Sequence, residues 1–401
     1  MSQTGPLTVL CIATYEKGQE FLRECKRQGC RVLLLTTDTL RDADWPREAI
    51  DEAFYMPREI GREDLLKGVS HVGKTHRIDR IVALDDFDVE TAALLREHLR
   101  VPGMGETTAR YFRDKLAERM KARNFGILVP DFVHTVNDGE IKAFAGDTPL
   151  PWILKPRSQA AAIGMKKIER AEDLWPALEE LGDRRSFYLL ERFVAGDVFH
   201  VDAIVWEKAV VFQAMHQYGQ PPFQVAHGGG IFTTTSVPKH DPAWAALERI
   251  NRDVLTTFGI MRGVTHTEFI RSAADGRFLF LETSARVGGA FIVDLVEAES
   301  GINLWREWAR LEIAGEDGTY QAPQPADRYA GLVLTLAKQE WPDLSGYTDP
   351  EIVYRVAKAN HAGLIVASTD EARVRTLLDQ YSARFQQDFF AFVPAPERPP
   401  A

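Results

Sequence analysis

Apolar and polar positions follow one rhythm in the first quarter of the chain and another afterwards. Leu7 to Ala13 is an unbroken apolar run, the pattern of a strand covered on both faces. Lys17 to Gln28 carries apolar residues at helical spacing and stops beside Gly29, which favours a helix end. Arg31 to Thr36 predicts a second strand and Ile78 to Leu84 a later one. A helix over Val89 to Leu99 and a turn at Pro102-Gly103 follow. This β-α-β order predicts a small parallel sheet wrapped by helices.

After residue 105 the rhythm turns to short alternating runs. A helix over Thr108 to Asn124 leads to Gly126 and Pro130. Strands are then predicted over Trp152 to Lys155, Met165 to Ile168, Phe187 to Phe193, Val198 to Trp206 and Ala209 to Met215. Gln217 to Pro238 is rich in Gly, Pro and Thr and reads as a long mobile loop. A helix over Ala243 to Phe258 and a hairpin from Val264 to Ser284 come next. Strands near Ala330 to Leu336 and Ala362 to Ala367 precede a Pro-rich end, from Pro394, expected to fray.

At 401 residues the chain is long for one core and suits two or three packed domains. A net charge of -10 without a basic run argues against nucleic acid or anionic lipid as partner. No apolar run approaches the ~18 residues of a membrane span. The three cysteines, Cys11, Cys25 and Cys30, fit no zinc spacing, and their odd number points to a reducing compartment. No basic segment precedes Leu7, so the first apolar run reads as a strand rather than a signal peptide, and a cytoplasmic location is expected. No Gly-x-Gly-x-x-Gly follows that strand, which removes the dinucleotide fingerprint.

The most informative segment is His266-Thr267-Glu268-Phe269-Ile270, a turn, then Phe278 to Arg286. A three-residue loop of Ala274-Asp275-Gly276, with Gly276 left-handed, sets Ala273 opposite Arg277, Glu268 opposite Glu282 and His266 opposite Ser284. A two-residue loop would send the glutamates to opposite faces. Opposed carboxylates destabilise a sheet unless a cation lies between them. Hard oxygen ligands suit Mg²⁺, and metal with Arg286 would clamp a transferring phosphoryl group. A solvated surface hairpin would show the same two glutamates. The apolar Phe278, Phe280 and Leu281 and the following Gly288-Gly289 argue instead for a buried strand leaving the core.

Leu154-Lys155-Pro156 ends a strand, and Arg157 to Gly164 is a loop of mostly small residues whose N–H groups could approach phosphates. A plain hairpin loop with a snorkelling Lys155 fits the pattern equally. Asp114-Lys115 lies on the entry helix, where a lone lysine is usually solvated. Tyr188 to Gly196 reads as a strand breaking at Gly196, with Phe193 and Val194 as apolar walls for a purine. His200 and Asp202 alternate on the next strand and face one way; a lone histidine there is ordinarily structural.

In this order, Asp114-Lys115, Leu154-Lys155-Pro156, Glu191-Arg192-Phe193-Val194-x-Gly196, His200-Val201-Asp202, Glu268 and Glu282-x-Ser284-x-Arg286-x-Gly288-Gly289 resemble the ATP-grasp superfamily, in its carboxylate–amine ligase branch. The resemblance spans most of the chain and extends to amino-acid ligases and biotin-carboxylase-like enzymes. It implies an α/β (α+β) fold with a parallel-sheet pre-grasp domain over residues 1–110, a lid subdomain with its entry helix over 111–195 and a mixed-sheet lobe over 196–401. It implies ATP and Mg²⁺, with Mn²⁺ able to substitute. Lys115, Lys155 and Ser158 would meet the phosphates. Glu191, Phe193 and Val194 would hold adenine, and Asp197 and His200 the ribose side. Glu268, Glu282 and Ser284 would bind metal; Ser284 stands where an Asn is common. Arg286 and Lys155 would be catalytic, with Arg286, His227, Gly288 and Gly289 at the substrate. His227 in the 217–238 segment is expected to close over the acceptor. The implied activity joins a small-molecule carboxylate to an amine through an acyl phosphate, releasing ADP and phosphate. A different acceptor, as in a carboxylase or thiol ligase, and a non-catalytic nucleotide-binding regulator are the alternatives. A homodimer is the base-rate expectation.

Overall fold

The computed structural model describes residues 5–160, 162–316 and 318–393. Four parallel strands open the chain: β1 (Thr8–Ala13), β2 (Arg31–Thr37), β3 (Glu52–Met56) and β4 (Arg80–Ala83), in the spatial order β3-β2-β1-β4. All six residues of β1 are buried, as a strand sandwiched between helix layers requires. Helices Gln19–Arg27 and Val89–Leu99 lie where the sequence places them; β3 and the helix Arg62–Val72 were not foreseen. Cys11, Cys25 and Cys30 are free and packed in the core.

The predicted helix over Thr108 to Asn124 is broken. A short turn of helix, Glu106–Ala109, ends before Asp114, and a new helix runs Lys115–Asn124. Asp114 is its N-cap: the carboxylate accepts from the amides of Leu116 (3.0 Å) and Ala117 (3.5 Å) and is gripped by Arg157. Capping competes with continuing the helix, which a periodicity argument does not see.

A four-stranded antiparallel sheet follows: β5 (Phe132–His134), β6 (Trp152–Pro156), β7 (Lys166–Ile168) and β8 (Tyr188–Arg192), ordered β5-β8-β6-β7. Helices Asp138–Asp147 and Leu174–Leu181 bury Ile141, Leu174 and Leu178 against Trp152, Leu154 and Leu190.

The remaining strands form one nine-stranded sheet: β9 (Gly196–Trp206), β10 (Ala209–Tyr218), β11 (Phe232–Ser236), β12 (Gly263–Ser272), β13 (Phe278–Ser284), β14 (Tyr329–Ala337), β15 (Ile352–Arg355), β16 (His361–Ser368) and β17 (Phe390–Ala391). Its order is β13-β12-β9-β10-β11-β14-β16-β15, with β17 beside β14. The chain crosses from the second sheet to the third at Gly196. A Cβ there would lie 2.0 Å from the Arg271 carbonyl oxygen, so only glycine fits.

Gln217 to Pro238 is not a loop. It holds the end of β10, a helix over Pro222–Gly228 and β11. Pro222 pre-sets the first helical turn, and Gly229 (φ 75°) and Gly230 (φ 153°) stop it. Ala161, in the small-residue loop, and the Pro-rich end from Pro394 lie outside the described residues. Among the described residues no helix is long and apolar enough to cross a membrane.

Candidate active site

The hairpin of β12 and β13 carries the expected pairs, Glu268 opposite Glu282 and His266 opposite Ser284. The route differs from the sequence argument. Near the tip Arg271 faces Phe278, and the Ser272 amide donates to the Arg277 carbonyl, one residue out of the expected register. An irregularity after Glu268 leaves Leu281 as the extra residue and restores the pairing. Gly276 is left-handed (φ 71°), as the turn requires.

Across four adjacent strands β10-β9-β12-β13 the register aligns His216, His200, Glu268 and Glu282 in one row. The next row places Asp202 beside His266 and Ser284. Alternation along each strand turns all of these to the same face of the sheet.

Two adjacent cavities lie over that face. The first, of about 240 Å³, is lined by Ile153, Ile163, Met165, Phe193, Val194 and Leu281, with Lys115, Lys155, Glu191, Glu268 and Glu282 at its polar end. The second, of about 100 Å³, shares Lys115, Glu268 and Glu282 and adds Asp86, Arg113, Glu118, His266, Ser284 and Arg286.

The polar end is a buried charge network. Lys115 Nζ lies 2.8 Å from Glu282 Oε2 and donates to the Gln159 carbonyl at 2.8 Å. Lys155 Nζ donates to Glu191 Oε1 at 2.7 Å, and Arg119 Nε donates to Glu191 Oε2 at 2.7 Å. Burial opposes ionisation of Glu282, but Lys115 above all outweighs it and holds the carboxyl well below its ordinary range. Lys115 and Lys155 move in opposite directions. Burial depresses both, but Glu282 and Glu118 raise Lys115, whereas Arg119 adds a like charge beside Lys155. Asp86 Oδ1 and Arg286 Nε are both buried without a hydrogen-bond partner and stand 4.0 Å apart across the second cavity.

Behind the glutamates, Asp202 bridges two histidines: Oδ2 is 2.7 Å from His200 Nδ1 and Oδ1 is 2.9 Å from His266 Nδ1. Tyr218 donates to Glu268 Oε1 at 2.9 Å. Burial pushes His200 down to about 3. Burial also works against charge on His266, but Asp202 and then Glu268 outweigh it and raise this imidazole to about 9. Burial pushes Glu118 up to about 8. Each of these two groups holds its proton more tightly folded than unfolded. His266 stability is therefore complete below its ordinary 6.5 and lost as pH rises through 9; the Glu118 contribution falls from its ordinary 4.5 upward. Urea unfolding is expected to show stability declining between pH 7 and 9, above the range in which His200, lowered from 6.5, adds stability as pH rises, with Asp202→Asn flattening that decline. A wild-type profile level from pH 7 to 9 would contradict this.

The structure brings together Lys115, Lys155, Glu191, Phe193, Val194, Glu268 and Glu282 around the first cavity and Ser284 and Arg286 around the second. Others stand elsewhere. Ser158 lines a neighbouring cleft with Arg157 and Arg184. Asp197 pairs with Arg271 at 2.7 Å, outside both cavity walls. His200 is fully buried, its Nε2 2.8 Å from Thr234 Oγ1, and is sealed from the first cavity. His227 is exposed and stacks on Phe223, whose ring closes the first cavity near Phe193. Gly288 packs where a Cβ would lie 2.9 Å from Asp202 Oδ1, and the Gly289 carbonyl accepts from the Ile292 amide. Asp86, Arg113, Glu118, Arg119, Tyr218 and His266 were not singled out as site residues from the sequence; His266 and Asp86 could have been, the first by its pairing with Ser284, the second by its place after a parallel strand.

The donor set fits the implied ligands. Opposed carboxylates suit a hard divalent cation, and an apolar slot ending in two lysines suits a nucleotide. A parallel-sheet domain, a small antiparallel sheet and a large sheet that is antiparallel throughout, not mixed as expected, enclose this chamber in the arrangement of the ATP-grasp fold. No protein-family model matches the chain. It is 25% identical over 300 residues to the L-arginine-specific L-amino acid ligase of Bacillus subtilis, covering 70% of this chain and 71% of the relative. It superposes on the L-amino acid ligase of Bacillus licheniformis with a TM-score of 0.75 and 17% identity, covering 97% and 99% of the two chains. The ADP complex of N5-carboxyaminoimidazole synthetase from Staphylococcus aureus gives 0.74 and 15%, covering 96% and 98%.

Proposed function

We propose that the protein is a cytoplasmic, Mg²⁺-dependent carboxylate–amine ligase that forms an amide or peptide bond through an acyl phosphate, releasing ADP and phosphate. The observation that carries this reading is the second cavity, where Glu268, Glu282 and Arg286 meet the orphaned carboxylate oxygen of Asp86. Adenine fits the apolar slot between Ile153, Met165, Val194 and Leu281. The Phe193 amide already donates to the Pro151 carbonyl at 3.0 Å, so the base contact falls to the Phe193 carbonyl and the Val194 backbone. Lys115 and Lys155 neutralise the phosphates. Glu268 and Glu282, with Ser284 beside them, hold Mg²⁺, which supplies positive charge to the transferring phosphoryl group. Arg286 orients the substrate carboxylate.

A carboxylate oxygen then attacks the γ-phosphorus, the bond to the β-phosphate oxygen breaks and ADP leaves. The amine nitrogen attacks the acyl carbon, phosphate departs with its oxygen and the nitrogen loses a proton. Asp86 is placed to accept hydrogen bonds from that amine or from an α-ammonium group. Two relatives named as L-amino acid ligases make α-amino acids the first substrates to test.

The test is a hydroxylamine trap with ATP, Mg²⁺ and pooled carboxylates. Hydroxamate formed in step with ADP, and absent in Glu282→Gln, is the expected result. ADP without hydroxamate from any pool would count against acyl-phosphate chemistry.

A further inference from the structure

We propose that Lys115 and Glu282 form a charge latch that makes cation binding and nucleotide binding depend on each other. The inference rests on the assignment of the site given above. Both lysines aimed at the nucleotide end of the first cavity are already paired with carboxylates, Lys115 with Glu282 at 2.8 Å and Lys155 with Glu191 at 2.7 Å. The two pairs differ in what a ligand does to them. Glu191 is shared with Arg119 and faces no second carboxylate across a strand, so its pair persists when phosphate reaches Lys155. Glu282 faces Glu268 and is the residue a cation must take.

A divalent cation arriving alone would pull Glu282 from Lys115. That leaves a buried ammonium without its hydrogen-bonded carboxylate, with Glu118 and Asp86 in the same chamber but also Arg113 and the new cation. A triphosphate arriving alone would take Lys115 and leave Glu282 and Glu268 facing each other and the phosphates. Arriving together, the two ligands exchange one ion pair for two: cation with Glu282, phosphate with Lys115. Neither buried charge is orphaned at any point. The latch therefore rejects metal-free nucleotide and nucleotide-free metal, and by linkage each ligand raises the affinity of the other by the same factor.

The latch predicts opposite signs for one substitution. Lys115→Met weakens nucleotide binding yet frees Glu282, so it binds Mn²⁺ about tenfold tighter than wild type without nucleotide. Free Mn²⁺ is read by electron paramagnetic resonance, with and without AMP-PNP. Beyond the Mn²⁺ that AMP-PNP chelates without protein, wild type is expected to gain about tenfold or more in Mn²⁺ affinity from AMP-PNP, and Lys115→Met to lose most of that gain. Lys115→Met binding Mn²⁺ no tighter than wild type overturns the latch. Should that variant fail to fold, Glu282→Gln in EDTA supplies the converse arm: metal-free AMP-PNP must bind it more tightly than wild type, and equal or weaker binding overturns the proposal. Wild type that binds both ligands without coupling refutes the latch alone. Wild type that binds neither ligand, even together, refutes the assignment of the site and the latch with it.

Discussion

Glu282→Gln is expected to lower ATP turnover by about a hundred- to a thousandfold while leaving the protein folded. The carboxylate sits opposite Glu268 on the neighbouring strand, and both glutamates line both cavities. Gln keeps the shape and one carbonyl oxygen but removes the charge a cation needs. Folding survives because Lys115 retains the Gln159 carbonyl at 2.8 Å and can still donate to the amide oxygen. ADP release under saturating ATP, with a melting curve on the same preparation, separates the two effects. Near wild-type release would sink the metal assignment. Loss of release together with an early melt would show that Glu282 holds the fold rather than the ligand.

The second large effect is on stability. Glu191→Ala is expected to cost about 3–5 kcal/mol, because it removes one partner from a buried pair rather than the pair itself. Glu191 is 3% exposed and binds Lys155 Nζ and Arg119 Nε, each at 2.7 Å. Arg119 is fully buried, and its two terminal nitrogens already lack hydrogen-bond partners. Glu118 lies 4.0 Å from Arg119 Nη1 and holds its proton until about pH 8. It would ionise to replace the lost partner, so the cost falls towards the lower end of that range as pH rises. Glu191→Gln, which still accepts a hydrogen bond, should cost less than half as much. Equilibrium unfolding in urea measures all three proteins; a loss below about 1 kcal/mol for Glu191→Ala would show that water reaches these cations.

The two effects separate the roles of neighbouring lysines. Lys155 is anchored to a carboxylate that it shares with Arg119, and Lys115 to one that we propose a cation takes. Sequence position gives no hint of this difference: Lys115 opens a helix and Lys155 lies next to the end of a strand, and neither place says which carboxylate the lysine meets.

The hairpin shows how far local reasoning reaches. The pairing of Glu268 with Glu282 was legible because opposed carboxylates within reach of a turn admit few registers. The path to it was not, because the irregularity at Leu281 depends on packing that a turn argument ignores. The same holds for the entry helix. Periodicity ran straight through Asp114, while the folded chain stops there because Arg157, 43 residues on, grips the capping carboxylate.

By itself the sequence determined the element types with long, regular patterns: the buried parallel strands, the helix Val89–Leu99 and the glutamate-bearing hairpin. These follow from which residues can be covered and which turn residues can reverse the chain, both local properties. It also determined the chemistry on offer, two lysines, two glutamates and an arginine in a telling order. Tertiary structure alone decided which charges meet. His200 went to a sealed histidine–aspartate cluster, Asp197 to an exposed pair with Arg271, and Asp86 and Arg113 to the heart of the site. The physical reason is that burial and pairing of a charge depend on groups far apart in the chain. Their energies are set only once the three sheets have closed on one another.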